Sequence, residues 1–276
     1  MRWTAVAPAA VAVVALGAGG GTGASAVAGG QAAPPAAERV ASPDVQRWKK
    51  VWGDEFDGTG FPEGWKSAEG NGDNGWSHES LHYNLARNAQ RNGAGQLVIT
   101  ADREPASTTL QCFNGPCRYT SARIQTKGVF EQKYGRFEAR MKLPVGKGIW
   151  PAFWMQRSDP YGEIDVVETV GHRPEIVYGA AHASFGVWGR GQKELPESFG
   201  DDYHVYGAEW NQDKIVWSVD SAPYAEARLF FGWPLGEPLY LILNVQVGGI
   251  WPGPPDAGTP FPARMLVDWV RVYEPA

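Results

Sequence analysis

The chain has little cysteine, no excess of basic residues and no long hydrophobic run. Its 276 residues include two cysteines, Cys112 and Cys117, and neither has a histidine close by in the sequence. Such a pair excludes a thiolate zinc site. The turn-forming residues 113–116 between them predict a disulfide that closes a small loop in an oxidising compartment, the alternative being two free thiols. The net charge of −5 argues against a nucleic-acid partner, because phosphate binding needs a basic face.

The first part of the chain has the composition of a targeting segment. A short basic start, an apolar stretch and small residues predict a secretory signal peptide over residues 1–28. The apolar stretch is too short and too rich in Gly and Ala to span a membrane, so we expect no membrane association after signal removal. Residues 29–49 are rich in Ala, Gly and Pro and predict a disordered leader. We therefore expect a secreted, extracellular protein with one catalytic domain over residues 50–276.

Aromatic residues, in contrast, are abundant, with 13 Trp and 10 Tyr. Core packing must account for many of them. The others can act as flat platforms, because the C–H groups of a sugar ring pack on aromatic faces while its hydroxyls bind polar groups at the edges.

Short alternating segments recur between turns rich in Gly, Pro, Asn and Asp, and no segment has a long helical period. Many short strands with regular turns predict an all-β sandwich or barrel. A sandwich with one curved sheet offers a concave cleft for an extended polymer. The predicted strands include residues 96–101, 122–126, 135–142, 202–210, 214–220, 239–247 and 265–273.

The most informative segment is residues 163–168, which read Glu-Ile-Asp-Val-Val-Glu. The β-branched residues predict a strand, in which Glu163 and Asp165 share a face. Glu168 would point to the opposite face unless a one-residue β-bulge near Val166 and Val167 returned it. The alternative interpretation is a charged edge strand that discourages aggregation.

Two carboxyl groups on one strand face suit the hydrolysis of a glycosidic bond. One carboxylate attacks the anomeric carbon, and the other, kept protonated, gives its proton to the leaving oxygen. Neighbours on one strand can approach to about 5–5.5 Å, the separation typical of retaining enzymes. Because three charges this close cannot all be ionised, at least one proton should be kept or shared. Clustered carboxylates also bind calcium, but Ile and Val between them indicate a strand rather than a metal-wrapping loop, and we expect no catalytic cofactor.

The same residues resemble glycoside hydrolase family 16. Residues 163–168 match the bulged E-x-D-x-x-E pattern of its laminarinase-like (endo-β-1,3-glucanase) members, rather than the shorter E-x-D-x-E pattern of lichenases. The resemblance covers about residues 50–275 and implies a β-jelly-roll sandwich of two curved antiparallel sheets. It also implies Glu163 as the nucleophile, Asp165 as its helper and Glu168 as the acid/base. Further stretches that resemble the family, in its order, are residues 52–57, 134–140, 150–155, 251–256 and 267–273.

The resemblance also implies a set of substrate contacts. Trp150 and Trp154 would line the cleft floor, the alternative being core packing for one of them. His182 would lie beside the acidic strand, where a structural histidine is the alternative. Residues 156–162 form a shorter loop than laminarinases usually have. The loop lacks their second Trp-Pro, so the identity of the sugar in the substrate stays open. Further candidates for substrate contact are Arg123, His82, Trp76 and Trp188.

A structural Ca²⁺ on the convex face is a further implication of the resemblance. Its ligands would come from Asp268 and from the backbone near Glu55 and Gly95. From the residues alone, Asp268 is equally well a polar strand residue.

The sequence thus predicts a monomeric, retaining endo-β-1,3-glucanase whose partner is a laminarin-like polysaccharide. Two other substrates stay open for the same scaffold: a β-galactan, as for a galactanase or agarase, and a mixed-linkage β-glucan. A non-catalytic glucan-binding protein on the same fold is a third alternative, but such proteins typically lose the catalytic glutamates, and both are present here.

Overall fold

The computed structural model of the protein describes residues 47–72, 79–113, 115–158, 162–183, 186–229 and 237–276. These residues form strands and one short 3₁₀ turn, Ala86–Asn88. None of their helical segments has the length and apolar character needed to cross a membrane. The strands are β1 (Trp48–Asp54), β2 (Thr59–Gly60), β3 (Lys66–Ser67), β4 (His82–Asn84), β5 (Ala89–Asn92), β6 (Leu97–Arg103), β7 (Gln111–Cys112), β8 (Gly115–Pro116), β9 (Tyr119–Ser121), β10 (Arg123–Gln125), β11 (Glu131–Gln132), β12 (Gly135–Lys142), β13 (Ile149–Gln156), β14 (Gly162–Glu168), β15 (Ile176–Ala183), β16 (Gly186–Glu194), β17 (His204–Trp210), β18 (Lys214–Val219), β19 (Ala222–Arg228), β20 (Leu239–Val247) and β21 (Ala263–Pro275).

Two large sheets account for most of these strands. The first contains eleven strands, with the main order β19-β18-β17-β12-β21-β6-β5-β2. The second contains eight, with the main order β16-β15-β14-β13-β20-β10-β3. Their pairings are antiparallel except for β4 with β9, which is parallel. The predicted all-β jelly-roll sandwich is confirmed, with that one departure from a purely antiparallel arrangement.

The core lies between the two sheets, and the alternation of each strand selects what enters it. On β12, the alternating residues Phe137, Ala139 and Met141 are fully buried. On β20, alternate residues such as Leu241 and Leu243 are also fully buried in the core. The residues between them point to the opposite face of the sheet. This period-two pattern is why strands were predictable from composition and spacing alone.

The predicted disulfide is confirmed, because Cys112 and Cys117 are bonded. It closes the small two-stranded sheet of β7 and β8. This hairpin is held to the body by Asn71, whose Oδ1 accepts the Phe113 N–H at 2.6 Å. The Asn71 amide in turn donates to the carbonyl oxygen of His82 at 2.7 Å.

Candidate active site

The acidic segment forms β14, at the middle of the eight-stranded sheet, and the predicted bulge is present. Trp154 on β13 pairs with Asp165, whereas Phe153 pairs with Val167, so Val166 is the extra residue. The side facing β15 has the same irregularity between Asp165 and Glu168. Val166 and Val167 are both buried in the core. The bulge therefore returns Glu168 to the face that carries Glu163 and Asp165.

The three carboxyl groups open into one cleft with a volume of about 430 Å³. This volume lies within the usual range of roughly 300–1,000 Å³ for ligand sites. The acids come from β14, and the neighbouring strands supply the rest of the wall. Of the candidates from the sequence, the cleft brings together Glu163, Asp165, Glu168, Trp150, Trp154, His182, Arg123 and His82.

Glu163 has three polar neighbours that favour its charged form, in a buried position that opposes it. The Gln156 amide donates to its Oε2 at 3.3 Å, and the Arg123 and His182 side chains lower its pKa. Burial nevertheless dominates and, together with the charge of Asp165, raises the pKa of Glu163 to about 8. The raised pKa of Glu163 depends in part on the charge of Asp165, because a proton on Asp165 would remove the repulsion between the two carboxylates.

Asp165 lies between the two glutamates and faces His182 on β15. Its Oδ2 lies 3.0 Å from His182 Nε2, but without the alignment of a hydrogen bond, so the contact is electrostatic. Burial raises the pKa of Asp165 to about 7. Asp165 is thus poised to hold a proton in the pH range where an ordinary aspartate has lost it.

Glu168 has fewer partners that favour its charged form. The Trp150 indole N–H donates to its Oε2 at 3.2 Å. Burial, followed by the charge of Asp165, raises the pKa of Glu168 well above its ordinary value. Such a carboxyl group keeps its proton near neutral pH, as a general acid requires.

The two tryptophans predicted for the cleft floor both line it. Trp150 packs edge-on against Trp251, with ring centroids 5.0 Å apart. Trp154 donates its indole N–H to Asn244 Oδ1 at 2.7 Å, and the Arg123 guanidinium lies 4.7 Å above its ring. Arg123 is therefore held against the cleft wall by an aromatic face.

His82 is buried and lines the cleft from β4. Burial lowers the pKa of His82 to about 4, so the ring is neutral at ordinary pH. Its Nδ1 lies 3.2 Å from the Val247 backbone nitrogen and 3.4 Å from the Val247 carbonyl oxygen, so the backbone contact fits either tautomer of the neutral ring.

Sequence reasoning missed several polar and aromatic residues of the cleft. Asn244 and Gln246 line it from β20, and Trp251 lines it from the loop after that strand. Asn244 and Gln246 occupy alternate positions of an otherwise apolar strand, the same signal that marked β14. Trp251 offered a weaker signal, as an aromatic residue at the start of a loop rich in Pro and Gly.

Two predicted contacts cannot be placed in the cleft. Trp76 lies outside the described residues. Trp188 lies on β16, but its side chain is also outside the described part of the protein. Both stay predictions.

Support for the bulge comes from the opposite sheet. Trp217 on β18 is fully buried and donates its indole N–H to the Asp165 carbonyl oxygen at 2.8 Å. Gly179 on β15 makes room for this ring, because a Cβ there would lie 2.3 Å from a Trp217 ring carbon. The core thus fixes the backbone of β14, which carries the three acids.

We expect Trp217→Phe to lower both stability and turnover. The buried Asp165 carbonyl would lose its partner, which costs about 1–3 kcal/mol, and the bulge would lose its anchor. Chemical denaturation and kcat measure the two effects. Trp65→Phe is the matched control, because Trp65 is buried and donates to Asp54 Oδ2 at 2.9 Å away from the cleft. An equal loss of turnover in both variants would contradict a role specific to Trp217.

One group of side chains could hold a metal ion. Among the described residues, Glu163, Asp165 and His182 offer ligand atoms within 4.8 Å of one another. A divalent ion there would keep both carboxyl groups ionised and so remove the protons that acid chemistry needs. We therefore assign this group to acid–base work.

The side chains of the predicted calcium site are already engaged. Asp268 bonds with Arg140, and its Oδ1 accepts the Gln96 amide at 2.9 Å. Glu55 accepts two bonds from Arg271, at 3.0 and 2.8 Å. These contacts give the side-chain part of the calcium prediction no support, since a cation would have to displace guanidinium groups. Calcium binding by backbone oxygens, including that of Gly95, stays a prediction.

A jelly-roll sandwich with paired carboxyl groups in an aromatic cleft defines a protein of the glycoside hydrolase class. The model of the family Glycosyl hydrolases family 16 matches residues 78–271. The chain belongs to this family, as its motifs predicted.

Three similar proteins share more than a third of their aligned residues with this chain. The Rhodothermus marinus beta-glucanase is 37% identical over 261 residues, covering 84% of this chain and 87% of the relative. The structure of the Pyrococcus furiosus endo-beta-1,3-glucanase is 39% identical with a TM-score of 0.77, covering 84% of this chain and 97% of that one. The laminarinase catalytic domain of Thermotoga maritima is 39% identical with a TM-score of 0.76, covering 83% and 99%. Two other relatives are longer, and the chain spans 36% and 39% of their lengths.

Proposed function

We propose that this protein is a retaining endo-glycoside hydrolase that cleaves internal β-1,3-glucosidic bonds of a laminarin-like glucan by double displacement. The observation that carries the proposal is the bulge in β14, which places Glu163, Asp165 and Glu168 on one face of an aromatic cleft. The similar glucanases support the choice of substrate. The polymer would lie across β14, with sugar units on both sides of the acids.

In the first step, the Glu163 carboxylate attacks the anomeric carbon while Glu168 gives its proton to the leaving oxygen. The surroundings support this assignment of roles. Gln156, Arg123 and His182 stabilise a negative charge on Glu163, whereas Glu168 keeps a proton through burial and the nearby Asp165. In the second step, Glu168 takes a proton from water, which then hydrolyses the ester of Glu163.

Asp165 acts in this scheme as the neighbour whose charge controls the ionisation of both glutamates. Its charge raises the pKa of Glu163 and of Glu168, which delays ionisation of the nucleophile and helps to keep the proton on the acid. His182, with Nε2 at 3.0 Å from Asp165 Oδ2, lowers the pKa of both glutamates and partly offsets that effect.

The aromatic residues divide between the two sides of the scissile bond. Trp150 touches Glu168, and Trp251 and Tyr178 extend the same wall, with ring centroids 5.2 Å apart. This wall would hold the sugars of the leaving group. Trp154 and Arg123 would contact the sugar that becomes attached to Glu163.

We expect Asp165→Asn to move the acidic limb of the pH–activity profile to lower pH. The charge of Asp165 raises the pKa of Glu163, so removing that charge lowers the pH at which the nucleophile ionises. Turnover should also fall, by roughly 10–100-fold, because Glu168 would lose the neighbouring charge that helps it to keep its proton. The measurement is kcat/KM against pH for the two proteins. An acidic limb that stayed in place would contradict the proposed coupling.

The substrate is tested on a panel of polymers. Laminarin, mixed-linkage β-glucan and β-galactan are incubated with the protein, and new reducing ends and product lengths are measured. The proposal expects the fastest release from laminarin, with intermediate oligosaccharides early in the reaction. Preferred cleavage of galactan or of mixed-linkage glucan would replace laminarin as the proposed substrate. Binding without any cleavage would favour the non-catalytic alternative.

Export as a monomer is part of the same proposal. Residues 1–28 would be removed as a signal peptide, residues 29–49 would form a leader, and residues 50–276 would act outside the cell. Expression of the full chain in an exporting bacterial host, followed by N-terminal sequencing of the medium fraction, tests this. Retention in the cells with an intact N-terminus would refute it.

A further inference from the structure

A second cavity lies at one end of the eleven-stranded sheet, away from the acidic strand. It has a volume of about 420 Å³ and is formed where β1 and β12 begin and β17 ends. None of the described residues lines both this cavity and the catalytic cleft. We call it the end cavity. Its main side chains are Trp48, Tyr134, Glu209, Trp210, Gln212 and Asp213.

Three aromatic rings form the apolar part of the end cavity. The rings of Tyr134 and Trp210 meet edge to face, with centroids 4.9 Å apart. Trp48, the first residue of β1, is half-buried and adds a third ring. Trp210 is buried, and its indole Nε1 has no hydrogen-bond partner among the described residues.

One of these rings belongs to a residue whose backbone has an unfavourable conformation. Tyr134 has a φ of 60°, in the left-handed region that side chains with a Cβ disfavour. The next residue must be glycine, because a Cβ on Gly135 would lie 2.3 Å from the Tyr273 carbonyl oxygen. Strain of this kind concentrates at functional sites.

Polar groups border the rings on one side. Gln212 and Asp213 are exposed at the turn between β17 and β18, and the Glu209 side chain is 46% exposed. The turn has a fixed shape, because Asn211 Oδ1 accepts the backbone N–H groups of Asp213 and Lys214 at 2.8 and 2.9 Å. The polar border is therefore held in place before any ligand arrives.

We infer that the end cavity is a second, non-catalytic binding site for a saccharide chain. Of the three rings, the half-buried Trp48 offers the face that can accept the C–H groups of a pyranose, whereas Trp210 is buried and supports the cavity from below its surface. Carboxylates with an amide accept from and donate to the sugar hydroxyls. Two basic side chains border the lining residues: Lys133 Nζ lies 4.9 Å from the centre of the Tyr134 ring, and Arg136 Nη1 lies 3.8 Å from Glu209 Oε1.

The ligand we assign is the polymer that the enzyme hydrolyses, so this inference rests on the proposed function. A second contact with the same polymer raises the effective concentration of the chain at the cleft. The benefit is largest for long or insoluble chains and vanishes for oligosaccharides too short to reach both sites.

The test uses the full protein in the inactive Glu163→Gln background, so that the polymer is not digested. Retardation in native gels that contain soluble laminarin, and pull-down on insoluble β-1,3-glucan, measure binding. Trp48→Ala and the double variant Gln212→Ala/Asp213→Ala should each weaken retention roughly three- to tenfold, the share expected for one ring or one set of polar contacts. Trp48→Tyr keeps a ring and should restore most of the retention.

Cleavage rates give a second measurement of the same inference. With Glu163 intact, the end-cavity variants should cleave a short β-1,3-oligosaccharide at the wild-type rate but show a raised KM on insoluble polymer. Unchanged thermal midpoints exclude misfolding, and the exposed Gln212 and Asp213 provide variants that leave the core intact. Retention and polymer KM equal to those of the wild type in every variant would overturn the inference.

Failure of this inference is distinguishable from failure of the proposed substrate. The binding assays are run on laminarin, mixed-linkage glucan and galactan alongside hydrolysis by the wild type. Wild-type cleavage of a polymer other than laminarin overturns the substrate. Retention on whichever polymer is cleaved, undiminished by the end-cavity variants, overturns the second site.

Discussion

Replacement of Glu163 by glutamine is expected to abolish turnover and to stabilise the fold at neutral pH. The nucleophile is lost, which should lower kcat by about 10⁴-fold or more. The neutral amide has nearly the same shape, so polymer binding should persist. Hydrolysis of laminarin and retention on the same polymer measure the two effects separately, and unchanged hydrolysis would refute the assignment of the nucleophile.

The stability part follows from linkage. The pKa of Glu163 is about 8 in the folded protein, against an ordinary value of 4.5. Between these values the unfolded chain has released a proton that the folded chain keeps, so the stability contributed by this group falls as pH rises from about 4.5 to about 8. Glutamine does not titrate, and the thermal midpoint of Glu163→Gln should decline less over this range. The exposed Glu197→Gln is the control and should follow the wild type.

Replacement of Glu168 is expected to have the second largest effect and to depend on the leaving group. Loss of a general acid/base costs about 10²–10⁴-fold on a polysaccharide, whose leaving sugar needs a proton. An aryl β-glycoside with an acidic phenol needs little protonation, so formation of the covalent intermediate should be nearly normal for Glu168→Ala. The basic limb of the pH–activity profile, which reports the raised pKa of Glu168, should disappear.

Azide separates the roles of the two glutamates. In Glu168→Ala, Glu163 still forms the intermediate, and azide should then give a glycosyl azide of retained configuration. In Glu163→Ala, azide would attack the substrate directly and give the inverted configuration. NMR identifies the configuration of each product. The opposite pair of configurations would make Glu168 the nucleophile and Glu163 the acid/base.

Much of the fold was predictable because the strands alternate with period two. Residues 239–247 and 135–142 were predicted with the bounds that β20 and β12 have in the structure. The bulge at Val166 was also predictable, since only an extra residue could bring Glu168 to the face of Glu163. These features depend on local spacing, which a sequence displays directly.

The partners of the acids were less accessible to sequence reasoning. Trp217 is about 50 residues away in the chain and acts from the other sheet. Trp251 reaches the cleft from a loop, where no period indicates direction. The ion pairs of Arg140 with Asp268 and of Arg271 with Glu55 were equally inaccessible, because only the folded chain brings these side chains together.

The sequence by itself determined the chemistry of β14: which residues are acids, that Glu163 and Asp165 share one face, that a bulge would add Glu168 to it, and that the motifs resemble glycoside hydrolase family 16. Tertiary structure decided how those acids differ. Burial raises the pKa of each carboxyl group, and the neighbours then distinguish the glutamates, with Gln156 and Arg123 beside Glu163 and Trp150 against Glu168. The physical reason is that a pKa depends on desolvation and on charges brought close by folding, neither of which is encoded in the spacing of residues along a strand.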